Sequence, residues 1–116
     1  MSSTGSAMTA KWFVAGGLVL ASTALALAQD AKAGRDKAQQ CSLCHGELGI
    51  ANVPNAPNLA GENASYVAAQ LKAFRDGKRE HHQMTIIASG LTDEDIADLS
   101  AWFAKIKIEV TAPELD

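Results

Sequence analysis

The chain has 116 residues, of which 47% are hydrophobic and 20% are charged, and its formal net charge is −3. This acidic balance argues against nucleic acid as a partner. The length fits one small domain, and residues 29–116 contain no internal repeat or low-complexity tract.

The start of the chain has the composition of a secretory signal peptide. Lys11 precedes an apolar run over residues 12–27, and Ala26-Leu27-Ala28 is a small-residue cleavage pattern. The run is shorter than the roughly 20 apolar residues that a membrane helix needs. We therefore predict a signal peptide over residues 1–28 and one domain over 29–116 with no membrane span after cleavage. An uncleaved anchor is the alternative.

A helix rich in Ala, Lys and Gln is predicted over residues 30–40. Gly34 and Ala38 lie four residues apart and so share one face of this helix. These small residues either let another helix approach closely or are simply tolerated there.

The predicted helix leads directly into Cys41-Ser-Leu-Cys44-His45, a C-x-x-C-H motif that predicts covalent attachment of haem. Each thiol adds to one vinyl group of the porphyrin, which leaves His45 beneath the iron as an axial ligand. A thioredoxin-like redox pair, a surface disulfide and half of a zinc site are the alternatives. No third cysteine is present for zinc, and no strand pattern precedes the motif.

Residues 46–60 are predicted to form a loop, because two glycines, two prolines and three asparagines occur there. Apolar residues then recur at helical spacing from Tyr66 to Phe74, and Gly77 is placed to cap the C-terminus of that helix.

Met84 is the only methionine after the predicted leader, and it falls in a predicted loop between two helices. A loop there could carry its sulfur to the iron opposite His45, because methionine and histidine form a common axial pair. A lone methionine can also be core filler. His81 and His82 are alternative ligands or solvated loop residues.

The last helix is predicted to start after Thr92, its N-cap. Three acidic residues follow, and Leu91 and Ile96 are spaced as a hydrophobic staple. An apolar stripe continues the helix and consists of Ile96, Leu99, Phe103 and Ile106. Pro113 limits its continuation.

Taken together, residues 30–107 resemble class I c-type cytochromes, specifically the small single-haem cytochromes c553/c5 and the single haem domains of cytochromes c4. Five segments carry the resemblance in order, namely residues 41–46, residues 56–61 (Ala-Pro-Asn-Leu-Ala-Gly), Tyr66 with residues 70–79, Met84, and residues 91–96.

The resemblance implies an all-α fold, a small cytochrome c fold with three to five helices wrapped around one covalently bound haem c. It implies that the Pro57 carbonyl accepts a hydrogen bond from His45 and orients that ligand. Leu59 would pack on the haem. The helix that contains Gly34 would cross the helix that contains residues 99–103.

An iron held by imidazole and thioether has no open position, so a one-electron change is the chemistry that remains. We predict a periplasmic electron carrier rather than an enzyme, with redox proteins as donor and acceptor. One alternative is a haem-bearing subunit of a larger dehydrogenase or sulfur-oxidising complex. Another is a ligand-binding or peroxidatic haem protein, if Met84 does not bind the iron.

Two charged clusters are candidate docking surfaces for these partners. The basic cluster consists of Lys72, Arg75, Lys78 and Arg79, and the acidic cluster consists of Asp93, Glu94, Asp95 and Asp98. Solvated helix faces and helix-cap charges are the alternative interpretation.

Overall fold

The computed structural model describes residues 1–5 and 28–115, and the regular secondary structure within these ranges is entirely helical. Five helices follow in chain order, namely α1 (Ala31–Lys37), α2 (Gln39–His45), α3 (Ala64–Arg75), α4 (Met84–Ser89) and α5 (Asp93–Lys105). The predicted all-α fold with three to five helices is therefore confirmed.

The apolar run of the predicted signal peptide lies outside the described residues, so the signal peptide stays a prediction. In the part of the chain that is described, no helix is both long enough and apolar enough to cross a membrane.

Helices α1 and α2 are almost continuous. The Asp30 carboxylate caps α1 by accepting the N–H groups of Lys32 at 2.9 Å and Ala33 at 3.2 Å. At the end of α1 the Ala38 carbonyl accepts the N–H of Cys41 at 2.9 Å, three residues on. This i to i+3 bond tightens the turn. The predicted helix over 30–40 therefore divides at Ala38, and the motif cysteines lie on α2.

Gly34 is buried where α1 packs against α5. A Cβ atom at this position would overlap the backbone carbonyl of Asp98. The absence of a side chain therefore permits the close approach of the two helices, and the crossing implied by the resemblance is present.

Asp98 ties the same two helices together. Its side chain is only 2% exposed, and it accepts the backbone N–H of Asp30 at 2.8 Å and the Lys37 ammonium at 2.7 Å. Lys37 also pairs with Asp95 at 2.9 Å. The prediction that Asp98 belongs to an acidic docking surface is wrong, because its carboxylate is buried against α1.

Helix α5 begins with a capping box. The Thr92 hydroxyl accepts the Asp95 N–H at 3.0 Å, and the Asp95 carboxylate accepts the Thr92 N–H at 2.9 Å. Ile96, Leu99 and Phe103 are buried in the core, as the apolar stripe predicts. The helix ends at Lys105 because Ile106 turns to an extended conformation, well before Pro113.

The structure corrects one element, because Met84 is the first residue of a short helix, α4, and not part of a loop. The sequence gives little signal for this helix, since it contains three β-branched residues, Thr85, Ile86 and Ile87, which are weak helix formers. Packing stabilises it instead. Ala88 is fully buried, and α4 packs against α3.

Helix α3 ends as predicted. Gly77 follows the C-cap residue Asp76 with a φ of 74°, the left-handed conformation that glycine adopts most readily. The turn brings residues 78 and 79 back towards α3, where the Ala73 carbonyl accepts the N–H groups of Lys78 at 2.8 Å and Arg79 at 3.0 Å.

Candidate functional site

A cavity of about 570 Å³ lies between α2, α3, α4, α5 and the loop that follows α2. Its volume is within the range of roughly 300–1,000 Å³ that is typical of ligand pockets. The cavity brings together every predicted site residue, because its lining includes Cys41, Cys44, His45, Pro57, Leu59 and Met84.

His45 is buried at the end of α2, and its orientation is fixed by a hydrogen bond. Its Nδ1 atom lies 2.8 Å from the backbone carbonyl oxygen of Pro57. A carbonyl can only accept, so Nδ1 carries the hydrogen and donates it. The other ring nitrogen, Nε2, therefore keeps its lone pair and is available to a metal.

The two motif cysteines are free thiols on the same helix and line the same cavity. Burial raises the pKa of Cys41 to about 11, because a low-dielectric environment disfavours the charged thiolate. A thioether is uncharged and has no proton to lose. A partly buried Cys41 is thus better suited to a thioether bond than to redox chemistry through its thiolate.

Backbone hydrogen bonds hold the loop that carries Pro57 and Leu59. The Gly49 carbonyl accepts the N–H of Leu59 at 2.7 Å. Asn52 satisfies two carbonyls at the end of α2, through its backbone N–H to Cys44 and its side-chain amide to Ser42, both at 2.9 Å. The loop is therefore fixed to the helix that carries the motif.

Gly46 and Gly49 give this loop its shape. Both have a φ of more than +70°, and a Cβ at either position would overlap nearby backbone atoms. Larger residues would therefore displace the segment that holds the Pro57 carbonyl against His45.

Met84 lines the cavity from the start of α4 and is partly buried. His81 also lines the cavity, whereas His82 does not. Of the two rival histidines, only His81 is thus placed within reach of the cavity.

Arg79 is a cavity residue that sequence reasoning grouped with surface cations. Its guanidinium lies 4.5 Å from the centre of the Phe74 ring and donates to the Gln70 side chain at 2.7 Å. Among the described lining residues it is the one Lys or Arg. Its signal in the sequence is weak, because Gly77 must first reverse the chain before residue 79 can meet α3.

Arg75 also departs from the predicted basic surface. It donates to Asp93 at 2.8 Å and to Asp76 at 3.0 Å, so it links α3 to the start of α5. These partners raise the pKa of Arg75 and lower that of Asp93. The two predicted docking clusters are in this way partly paired with each other.

These residues fit a covalently held haem. Two thiols stand on one helix beside an imidazole whose Nε2 is free, a thioether sulfur approaches from α4, and the remaining wall is mostly apolar. The donor set of imidazole and thioether is one that haem iron accepts.

Comparisons with known proteins agree with this chemistry. Residues 28–103 match the family described as cytochrome c oxidase, cbb3-type, subunit III. The chain is 44% identical over 94 residues to cytochrome c4 of Pseudomonas aeruginosa, covering 80% of this chain and 47% of that protein. It is 46% identical over 80 residues to cytochrome c-554(548) of Halomonas halodenitrificans, covering 66% of this chain and 96% of that protein.

Two further similarities are to a protein named as an electron acceptor and to a solved structure. A Stutzerimonas stutzeri protein named thiosulfate dehydrogenase electron acceptor is 34% identical over 70 residues, covering 58% of this chain and 32% of that protein. The crystal structure of reduced recombinant cytochrome c4 from Pseudomonas stutzeri is similar with a TM-score of 0.65 and 35% identity, covering 69% of this chain and 47% of that chain. The chain spans about half the length of the cytochromes c4 that it matches.

Proposed function

The chain belongs to the cytochrome c family, whose members bind covalently attached haem c and transfer electrons, and we propose that it is an exported carrier of single electrons with one haem. One observation carries the proposal. Cys41, Cys44, His45 and Met84 all line one cavity, and His45 is oriented there by the Pro57 carbonyl.

In this proposal each residue has a defined role. Cys41 and Cys44 form the thioether bonds, and His45 and Met84 bind the iron through Nε2 and sulfur. Pro57 orients His45, and Leu59 packs on the bound group. The haem, when bound, supplies an iron that gains or loses one electron. With His45 and Met84 as its two protein ligands, the iron would have no position left for a substrate, so the proposed role is electron transfer and not enzymatic catalysis.

The rim of the cavity supports exchange with other redox proteins. Tyr66 and Ile86 line the cavity and are 53% and 74% exposed. The exposed part of the lining mixes these apolar side chains with polar ones, Asn55, Asn58 and Arg79 among them, and such a mixed surface suits brief contacts with a partner. Electron donor and acceptor proteins are thus the proposed partners.

We place the chain in the bacterial periplasm. The leader-like composition of residues 1–28 supports export, and residues 29–116 then form the haem domain. An oxidising compartment also matters for the cysteine pair, because Cys41 and Cys44 would form a disulfide there unless haem is attached.

A second candidate function is the haem-bearing electron acceptor of a dehydrogenase complex. Its support is the similarity to the Stutzerimonas stutzeri electron acceptor of thiosulfate dehydrogenase. Stable co-purification with a larger catalytic chain would favour this role, whereas a haem protein that purifies alone would favour a freely diffusing carrier.

The test of the main proposal is the visible spectrum of the oxidised protein, produced as the full chain in a host that attaches haem. We expect the weak red band of iron–methionine ligation. Met84→Leu keeps the apolar volume but removes the sulfur, so the band should vanish while covalent haem remains. Binding of carbon monoxide to the reduced protein should then rise.

Two results would contradict the proposal. A wild-type protein that holds haem without the band would point to His81 or to an open site. A band that persists in Met84→Leu would exclude Met84 as its source.

A further inference from the structure

The start of α4 lacks the usual cap, and a histidine side chain takes its place. Gln83, which precedes the helix, makes no side-chain capping bond. Instead the Nδ1 atom of His81 accepts the backbone N–H groups of Gln83 and Met84, each at 3.3 Å. These are two of the donors that a helix start otherwise leaves without partners.

His81 is held in turn by Thr85. The His81 N–H donates to the Thr85 hydroxyl at 3.0 Å, and the Thr85 N–H donates to the His81 carbonyl at 2.9 Å. Four hydrogen bonds therefore link residue 81 to residues 83–85. The arrangement is reciprocal, as in a capping box, but an imidazole nitrogen replaces the usual side-chain oxygen.

A helix as short as α4 depends on such bonds. It has six residues, of which three are β-branched, and an isolated helix of this length is unstable in water. Its first residue is Met84. Any loosening of the helix start therefore moves the backbone that carries the methionine sulfur.

His82 provides an internal comparison. Its ring stacks on the His81 ring with 4.6 Å between the ring centres, and it takes no part in the bonds to residues 83–85. Two adjacent histidines, both exposed, thus have different roles in the fold.

We propose that His81 is a positioning residue for Met84, whose imidazole accepts the backbone N–H of the methionine and so resists displacement of its sulfur from iron. This inference rests on the proposed function, in which Met84 is an axial ligand. It assigns His81 to the support of that ligand and not to the iron.

The experiment measures how readily an added ligand displaces the methionine. Free imidazole binds ferric haem only when the sulfur has left, so its apparent affinity rises with the population of the open state. In the haem-loaded full chain, His81→Ala should bind imidazole about five-fold more tightly, the factor expected for loss of a helix N-cap. The red band should also weaken.

Two variants distinguish positioning from a general loss of structure. His81→Asn places a side-chain oxygen where it can accept the same N–H groups, so its imidazole affinity should return to within about two-fold of wild type. His82→Ala should leave both the affinity and the band unchanged. If His81→Ala does not yield haem protein, Thr85→Val, which removes only the hydroxyl that anchors His81, should show the same increase in imidazole affinity.

The inference would be overturned if His81→Ala bound imidazole with the affinity of the wild type. If His81→Ala is not recovered, the same result in Thr85→Val would overturn it. Equal effects of His81→Ala and His82→Ala on the affinity would also overturn it. A His81→Asn variant that binds imidazole as tightly as His81→Ala would overturn it as well. These results leave the function intact if Met84→Leu still removes the band. A wild-type protein without the band that gains it in His81→Ala would overturn both, because His81 would then be the iron ligand.

Discussion

At the scale of single residues, the site could be predicted where a residue type has few roles. Cys41, Cys44 and His45 follow from a five-residue motif, and the contact between Pro57 and His45 follows from the family resemblance. Arg79 could not be assigned in this way, because its place at the cavity depends on how the chain turns at Gly77. A surface arginine and an arginine that faces a cavity look alike in a sequence.

Arg79 should raise the reduction potential, because a positive charge beside the cavity favours the iron state with one more electron. Water screens this exposed side chain, so we expect Arg79→Gln to lower the potential by on the order of 20–40 mV. Redox titration of the haem-loaded protein measures the shift. Lys78→Gln is the matched control, since it removes a neighbouring charge that does not line the cavity, and an equal shift there would refute a specific role for Arg79.

At the scale of helices, local signals predict ends better than they predict short elements. The Thr92 cap, the glycine after α3 and three residues of the apolar stripe, Ile96, Leu99 and Phe103, are at their predicted places. The fourth stripe residue, Ile106, lies beyond the end of α5. Helix α4 is not predictable from propensity, because buried Ala88 and its contacts with α3 stabilise it. Burial of Asp98 was also missed, since its partners Asp30 and Lys37 lie more than 60 residues away.

Gly34→Ala should destabilise the crossing of α1 and α5. Alanine is the better helix former by about 0.5–1 kcal/mol, but its Cβ would overlap the backbone of Asp98, which cannot move without shifting α5. The overlap should prevail, with a net loss of about 2 kcal/mol in the free energy of unfolding.

Chemical denaturation of the haem-loaded protein checks this effect. Gly90→Ala is the control, because the nearest atom to an added Cβ there is 3.9 Å away, and it should be nearly neutral. Stabilisation by Gly34→Ala would show that the helices can separate at little cost.

The carboxylates of Asp95 and Asp98 on α5 should make the stability of the protein depend on pH. The Lys37 ammonium and the Asp30 N–H both bind the Asp98 carboxylate and lower its pKa. Hydrogen bonds from the Thr92 N–H and, to a smaller extent, from Lys37 lower the pKa of Asp95 to about 2. Both folded-state pKa values lie below the ordinary value near 4. These carboxylates therefore stabilise the fold above about pH 4, and that stability is lost as the pH falls towards 2.

Asp98→Asn should lower the free energy of unfolding at pH 7, because a neutral amide replaces the carboxylate that accepts the Lys37 ammonium and the Asp30 N–H. The loss is limited, since Lys37 is partly exposed and keeps its pair with Asp95. The stability of this variant should also fall less steeply than that of the wild type as the pH drops below about 4. Glu94→Gln changes an exposed acid on the same helix and serves as control. Parallel pH curves for wild type and Asp98→Asn would contradict the assignment.

At the scale of the whole molecule, the cavity and the core share their walls. Leu91, Leu99 and Phe103 belong to the buried core and also line the cavity. The helical class and the meeting of the predicted ligands could be foreseen from motif order and periodicity. The volume that the core leaves for the haem could not be foreseen, because it depends on the distances between the helices.

A chain that cannot attach haem should therefore lose its fixed packing. We expect the Cys41→Ala, Cys44→Ala double variant to retain part of its helix signal in far-ultraviolet circular dichroism but to lose near-ultraviolet signal and cooperative unfolding. Leu43→Ala is the control, since this residue lies between the cysteines and is 78% exposed. A sharp thermal transition near that of the wild type in the double variant would show that the polypeptide folds without its haem.

The shared wall also limits how this protein can be redesigned. A substitution at Leu99 or Phe103 changes the packing of the hydrophobic core and the lining of the cavity at the same time. Thermal stability and reduction potential therefore cannot be adjusted independently at these two positions. The rim residues Tyr66 and Ile86 contact the cavity but are exposed and lie outside the core. Substitutions meant to change the reduction potential at constant stability should therefore begin at these two residues.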